Sequence, residues 1–210
     1  CHGSDGKKFN HFNAALLEAS FMTGLERNAD VVYMSCYAPT FAHIDGWQWR
    51  PDLIWFDNLR VMRTCSYYVQ QLYAANKGTR VLPLLTDGKP LTGGEGQRGV
   101  SASCVVDDGT GEMIVKIANL SPYSQVINLD LPAGVTGAVR TSLHSENAVD
   151  ENTLDEPDRV VPVTETLDLT PVKEPENEWL MGVRTQEDGR MLLSERIGGR
   201  TFAVYRFQTK

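Results

Sequence analysis

Three tryptophans, Trp47, Trp49 and Trp55, alternate with polar residues in the stretch GWQWRPDLIWFDN, and His43 lies just before it. Rings with polar neighbours suit a sugar, whose C–H faces stack on an aromatic and whose hydroxyl edges take hydrogen bonds. On that reading Trp47 or Trp49 lines a subsite, while His43, Gln48, Arg50 and Asn58 supply the hydrogen bonds. Each has a plainer alternative. The tryptophans could pack the loop against the rest of the protein, and Trp55, inside the apolar run LIWF, is expected to do so. Asn58 serves equally well to close a turn, and a lone histidine such as His43 is a candidate contact and not a catalyst.

Carboxylates offer less. Glu18 and Glu26 fall on an expected helix, where Glu26 with Arg27 reads as a surface charge pair. Asp52 follows Pro51 and is expected to organise a turn or a cap; Asp57 lies in the same loop. No catalytic residue is assigned to the chain. The four cysteines, Cys1, Cys36, Cys65 and Cys104, form no CxxC spacing, and His2 and His11 lack partners at metal-binding intervals, so neither a metal nor a cofactor is implied. Cys36 and Cys104 sit in apolar runs and are expected to be buried.

Positioning that loop requires flanking elements, and the sequence supplies them. AALLEASFMTGLERN predicts a helix over residues 14–27, with Leu17, Phe21 and Leu25 on one face. The β-branched and aromatic run VVYMSCYAP, ended by Pro39, predicts a buried strand over residues 31–38, and residues 66–75 a second helix. A helix feeding straight into a buried strand builds a parallel α/β sheet. Past residues 81–85 the rhythm changes to short strands between turns, as in a β-sandwich. VSASCVV and MIVKIAN, joined through Asp-Gly and Gly, predict a hairpin. SQVINLDL, GAVRTSLH, RVVPVTETLDL, MLLSERI and RTFAVYRF follow. In the last, Phe202, Val204 and Arg206 face one way and Ala203, Tyr205 and Phe207 the other, which leaves the core side open. Residues 146–158 and 171–178, acidic and Pro-containing, read as solvated loops.

The wording of LERNADVVYMSCYAP, GWQWRPDLIWFDN and SYYVQQLYAANKG resembles the end of the catalytic barrel in α-L-arabinofuranosidases of glycoside hydrolase family 51. The resemblance implies a mixed fold: a βα remnant of a (β/α)8 barrel over residues 1–80, then an antiparallel jelly-roll-like β-sandwich over residues 81–210. Residues 31–38 would be barrel strand eight and 66–75 the closing helix. Enzymes of that family are retaining and use two glutamates, a nucleophile and an acid/base about 5–5.5 Å apart. With HGSDGKK taken as the loop after strand seven, both glutamates would precede Cys1. The chain alone is therefore expected not to cleave a glycosidic bond. Here APTFAH places Thr40 and His43 where many members read other residues, and a sugar-reaching glutamine of distant members has no counterpart near Pro39. That leaves the substrate preference at this corner open.

The implied partner is an arabinose-containing oligo- or polysaccharide such as arabinoxylan or arabinan. A net charge of -7 without a Lys/Arg stripe excludes a nucleic-acid partner, and the apolar runs are too short for a membrane span. Secreted, periplasmic and cytoplasmic placements all stay open. Two further readings compete: a non-catalytic carbohydrate-binding or scaffold sandwich, and a related barrel hydrolase of other specificity. Two βα units cannot close a barrel. The two helices are therefore expected to pack on each other and on the sandwich, or else to be covered by another copy or by the missing N-terminal part.

Overall fold

In the computed structural model, which describes residues 10–172 and 181–209, the last strand (Thr201–Thr209) is buried on both faces and sets the layering. Phe202 and Val204 point to one hydrophobic cluster, Ala203, Tyr205 and Phe207 to another. Both faces that the alternation left open are thus core.

In chain order the elements are α1 (Phe12–Arg27), β1 (Phe41–His43), β2 (Ile54–Phe56), β3 (Val61–Arg63), α2 (Cys65–Ala75), β4 (Arg80–Leu82), β5 (Leu85–Thr86) and β6 (Lys89–Pro90). β7 (Val100–Asp107), β8 (Glu112–Asn119), β9 (Gln125–Leu131), β10 (Val135–His144), β11 (Val163–Thr166), β12 (Gly182–Thr185), β13 (Met191–Ile197) and β14 (Thr201–Thr209) follow. The main sheet has the order β11-β10-β14-β8-β7-β4 and faces a three-stranded sheet, β12-β13-β9. All these pairs are antiparallel. The predicted β7–β8 hairpin is present, and Gly111 takes the positive φ of +73° in its turn.

Helices α1 and α2 cover the outer face of the main sheet. Phe12, Ala15, Leu16 and Ala19 of α1 and Cys65, Val69 and Leu72 of α2 meet Val105, Ile114, Ala118 and Leu143 there. The Tyr73 ring stacks on Phe202 with centroids 5.3 Å apart, and its hydroxyl donates to the Ala19 carbonyl at 2.8 Å. The expected packing of the helices on each other and on the sandwich is therefore seen. The stripe singled out in the sequence is not the one buried, however: Leu17 is 37% and Phe21 49% exposed. α1 is apolar on two sides, and its small residues Ala15 and Ala19 let the sheet approach more closely than Leu17 or Phe21 would.

Charge also fastens α1. Glu26 Oε1 pairs with Lys116 Nζ at 2.6 Å, and Oε2 accepts from Ser103 Oγ at 2.6 Å. Arg27 Nη1 donates to the Ala102 carbonyl at 2.6 Å. The expected surface pair of Glu26 with Arg27 is thus replaced by two separate anchors into the sheet. Burial pushes the Lys116 ammonium down while Glu26 opposes the shift.

Residues 31–38 form no strand. Val31, Tyr33 and Met34 are 69%, 91% and 81% exposed, and Cys36 is exposed rather than buried. A strand needs a neighbour to accept its ladder, and no described strand lies beside this one. Cys104 is buried as expected, its thiol pushed up to about 12 by burial. Residues 146–158 do more than meet solvent: the Asp150 and Ala148 carbonyls take the first amides of α1, Phe12 N at 2.7 Å and Asn13 N at 2.9 Å. Cys1, His2, the HGSDGKK loop and most of the acidic stretch 171–178 lie outside the described residues.

Candidate substrate-contacting loop

The polar-aromatic loop is held by a small sheet in which β1 runs parallel to β2 and β2 pairs antiparallel with β3. Trp55 anchors it. Only 4% exposed, it packs with Ala42, Met62 and Leu154, as the apolar LIWF run predicts. The segment between β1 and β2 leaves this cluster and returns to it, carrying Asp45, Trp47, Gln48, Trp49 and Arg50 at the surface. Prolines close both ends, with cis peptide bonds at Ala38–Pro39 and Arg50–Pro51.

Trp47 stands edge-on to Trp55, with centroids 5.9 Å apart and planes at 71°. The Arg50 guanidinium carbon lies 5.7 Å from the Trp47 ring centroid and 5.2 Å from that of Trp55. Arg50 is therefore the hub of the tryptophan cluster, a role that its place in the motif WQWRP did not reveal. Trp49 is 68% exposed. With Arg50, Ala38, Pro39 and Pro51 it lines a concavity of about 480 Å³.

His43 and Asn58 form the second pair. His43 Nδ1 accepts from the Asp45 amide at 3.2 Å, which places the ring proton on Nε2, 3.4 Å from Asn58 Oδ1. The ring meets Phe56 edge-on at 5.3 Å. Gln48 is exposed on the same loop. The structure thus brings His43 to Asn58, Trp47 to Arg50 and Trp49 to Arg50, all within residues 43–58.

Of the neighbouring carboxylates, Asp57 is committed elsewhere. Asp57 Oδ1 accepts the Leu59 and Arg60 amides at 2.8 and 2.6 Å, and Oδ2 accepts Arg60 Nε at 2.9 Å; these bonds hold its carboxyl below the usual range. Asp52 is 2% exposed, and burial pushes its carboxyl up. Glu18, missed as anything but a helix residue, is 3% exposed beneath the 31–38 segment. Burial raises it to about 7, while Ser66 and Tyr37 hydrogen bonds pull the other way. Its signal in the sequence was an acid set inside the apolar stretch AALLEASF of α1. Among the described residues no group of three or more His, Cys, Asp or Glu side chains could hold a metal ion. A surface of two exposed indoles, a guanidinium beside them and an imidazole–amide pair can stack a sugar ring and hydrogen-bond its edges.

A larger concavity, about 580 Å³, lies between the β5–β6 hairpin and β9. Its floor is Val100, Ala102, Ile117 and Leu129, and no aromatic ring lines it.

The profile of a family described as "Alpha-L-arabinofuranosidase C-terminal domain" matches residues 4–176. Alpha-L-arabinofuranosidase 1 of Arabidopsis thaliana is 34% identical over 162 residues, which is 74% of this chain and 23% of the plant protein. An extracellular exo-alpha-L-arabinofuranosidase of Streptomyces chartreusis is 41% identical over 111 residues, 50% of this chain and 14% of that one. The chain thus spans under a quarter of the length of these relatives. Among solved structures, an arabinose-bound GH51 α-L-arabinofuranosidase matches 100% of this chain and 30% of its own, with a TM-score of 0.75 at 24% identity. The Thermotoga maritima α-L-arabinofuranosidase–arabinose complex matches 94% and 38%, with a TM-score of 0.68 at 10% identity. These two likenesses establish the shared fold.

Proposed function

The chain belongs to the α-L-arabinofuranosidase C-terminal domain family, and from that membership we propose that it is the C-terminal part of a retaining glycoside hydrolase releasing terminal arabinofuranose from arabinoxylan, arabinan or their oligosaccharides. The match over residues 4–176 carries this reading. In it, the nucleophile and the acid/base belong to the part of the parent that precedes this chain, and the chain alone does not cleave its substrate.

Residues 1–80 are, on this proposal, the end of a (β/α)8 barrel and residues 81–210 a jelly-roll-type sandwich. Two observations support the first half. The order α1, extended run, α2 is that of a barrel's closing units, and the run presents Val31, Tyr33 and Met34 to solvent with no ladder partner. α1 also keeps Leu17 and Phe21 exposed beside it, on the side facing away from the sandwich. Preceding barrel strands and helices would cover both. Loops after barrel strands face the active-site mouth. Trp49 and Trp47 would then stack sugar rings, with Gln48 and the Asn58 amide, oriented by His43, donating to hydroxyls. A stand-alone carbohydrate-binding sandwich is less well supported, because helices cover the outer face of the main sheet and no aromatic ring lines the larger concavity.

Activity of the intact parent on an aryl α-L-arabinofuranoside tests the proposal. Release of the aryl group by the parent, with none from this chain, is the expected result. Silence from the complete, folded parent overturns it. Heat on titrating this chain with arabino-oligosaccharides would favour the binding-module alternative.

A further inference from the structure

We propose that Arg50 selects substrates carrying a uronic-acid residue in the part of the glycan next to the departing arabinose. This rests on the function proposed above and narrows its substrate class. Cation–π attraction to indole rings restrains a guanidinium without using up its N–H donors, which match the two oxygens of a carboxylate. Arg50 is held over both Trp47 and Trp55. Arg60, Arg80, Arg140, Arg190 and Arg206 each pair with an Asp or Glu, whereas Arg63, over the Tyr67 ring, is like Arg50 without a carboxylate partner among the described residues. Among the described residues no carboxylate pairs with Arg50.

This cation, without a carboxylate partner among the described residues, borders a concavity of about 480 Å³ whose other large wall is Trp49. A pyranose ring laid on that indole places an equatorial carboxylate toward the guanidinium edge. The overall charge is -7, so the attraction for an anionic sugar is local to this corner and not a property of the whole surface. A neutral sugar would gain the stacking alone; a uronate adds a charge-assisted, two-point hydrogen bond.

The test uses the full-length parent and paired substrates. These are arabinosylated xylo-oligosaccharides with and without a neighbouring glucuronate, the glucuronate methyl ester, and an arabinosylated oligosaccharide bearing galacturonate. The readout is kcat/KM on each acidic substrate divided by that on the neutral one. The wild type is expected to favour at least one acidic substrate about tenfold, and the glucuronate and galacturonate arms identify the source. Esterifying the carboxylate, raising the salt or making Arg50→Gln should bring the ratio close to one, with Arg50→Lys in between. A wild-type ratio of one on both acids overturns the inference, as does a preference that survives esterification or Arg50→Gln. If the parent cleaves the neutral aryl arabinofuranoside while showing no acid preference, only the role of Arg50 falls. If it cleaves nothing, the underlying function falls too.

Discussion

Lys116 Nζ lies 2.6 Å from Glu26 Oε1 with the lysine side chain fully buried, so an internal ion pair fastens the last turn of α1 to β8. The same ammonium lies 5.4 Å from the centre of the Tyr73 ring on α2. One cation thus addresses both helices from the sheet beneath them.

Removing one partner of this pair should cost far more than removing both. Glu26→Gln leaves a buried ammonium without its counter-charge and is expected to destabilise by ~3–5 kcal/mol. The double change Lys116→Met with Glu26→Gln should recover most of that loss. Urea denaturation of the single and double variants measures the difference, and equal losses in both would contradict the buried-pair account.

Glu18 predicts a pH dependence. Its folded-state carboxyl sits at about 7, above the ordinary 4.5, so the folded state binds the proton more tightly than the unfolded chain does. The stabilisation is complete below about 4.5 and is lost as pH rises through about 7; the whole swing is about 3 kcal/mol. Melting temperature should therefore fall between pH 5 and about 8, and Glu18→Gln should flatten that slope. The exposed Asp108, held to about 2 by Arg80 and Thr79, acts in the opposite sense and only at the acid end.

The tryptophans should separate by role. Trp49→Ala, at 68% exposure, should leave stability within about 0.5 kcal/mol and raise KM in the parent. Trp55→Ala, at 4% exposure, should lose ~3–5 kcal/mol and disturb the loop as a whole. Thermal melts combined with steady-state kinetics distinguish the two. A Trp49 variant with unchanged KM on an oligosaccharide would remove it from the site.

Asn152 should behave as a polar staple. Its amide donates to the Arg63 carbonyl at 2.9 Å and the Val160 carbonyl at 3.0 Å, and its Oδ1 accepts the Val160 amide at 2.8 Å. Asn152→Ala leaves these buried backbone groups without partners and is expected to cost about 2 kcal/mol or more. Amide hydrogen exchange at Val160 should quicken with it.

Gly78 should reject any side chain. A Cβ there would lie 2.6 Å from the Val106 carbonyl oxygen and 2.7 Å from Val105 Cβ. Gly78→Ala must push α2 off the β4–β7 edge and is expected to destabilise by ~1–3 kcal/mol, readable as an earlier melt.

Local signals were legible and distant ones were not. The first helix followed from its apolar periodicity and the β7–β8 hairpin from its turn glycines, all within a few residues of each other. The partner of Glu26 lies 90 residues along the chain, so nothing near Glu26 announced it. The 31–38 run has strand composition, but a strand is made by its neighbour, and composition cannot supply one. At the loop, the cluster of aromatic and polar residues was plain from sequence. The placing of Arg50 against both Trp47 and Trp55 was not, because it depends on how the chain folds back from β1 to β2.

Phe202 and Tyr205 on opposite sides of β14 tie the fate of two cores to a single ribbon. Cutting the chain after α2 would strip a greasy roof from the main sheet and leave Lys116 uncovered. The C-terminal segment is thus better pictured as masonry keyed into its neighbour than as a bead on a string. Domain-swapped chimaeras in this family should carry the helical roof along with the sandwich it shelters.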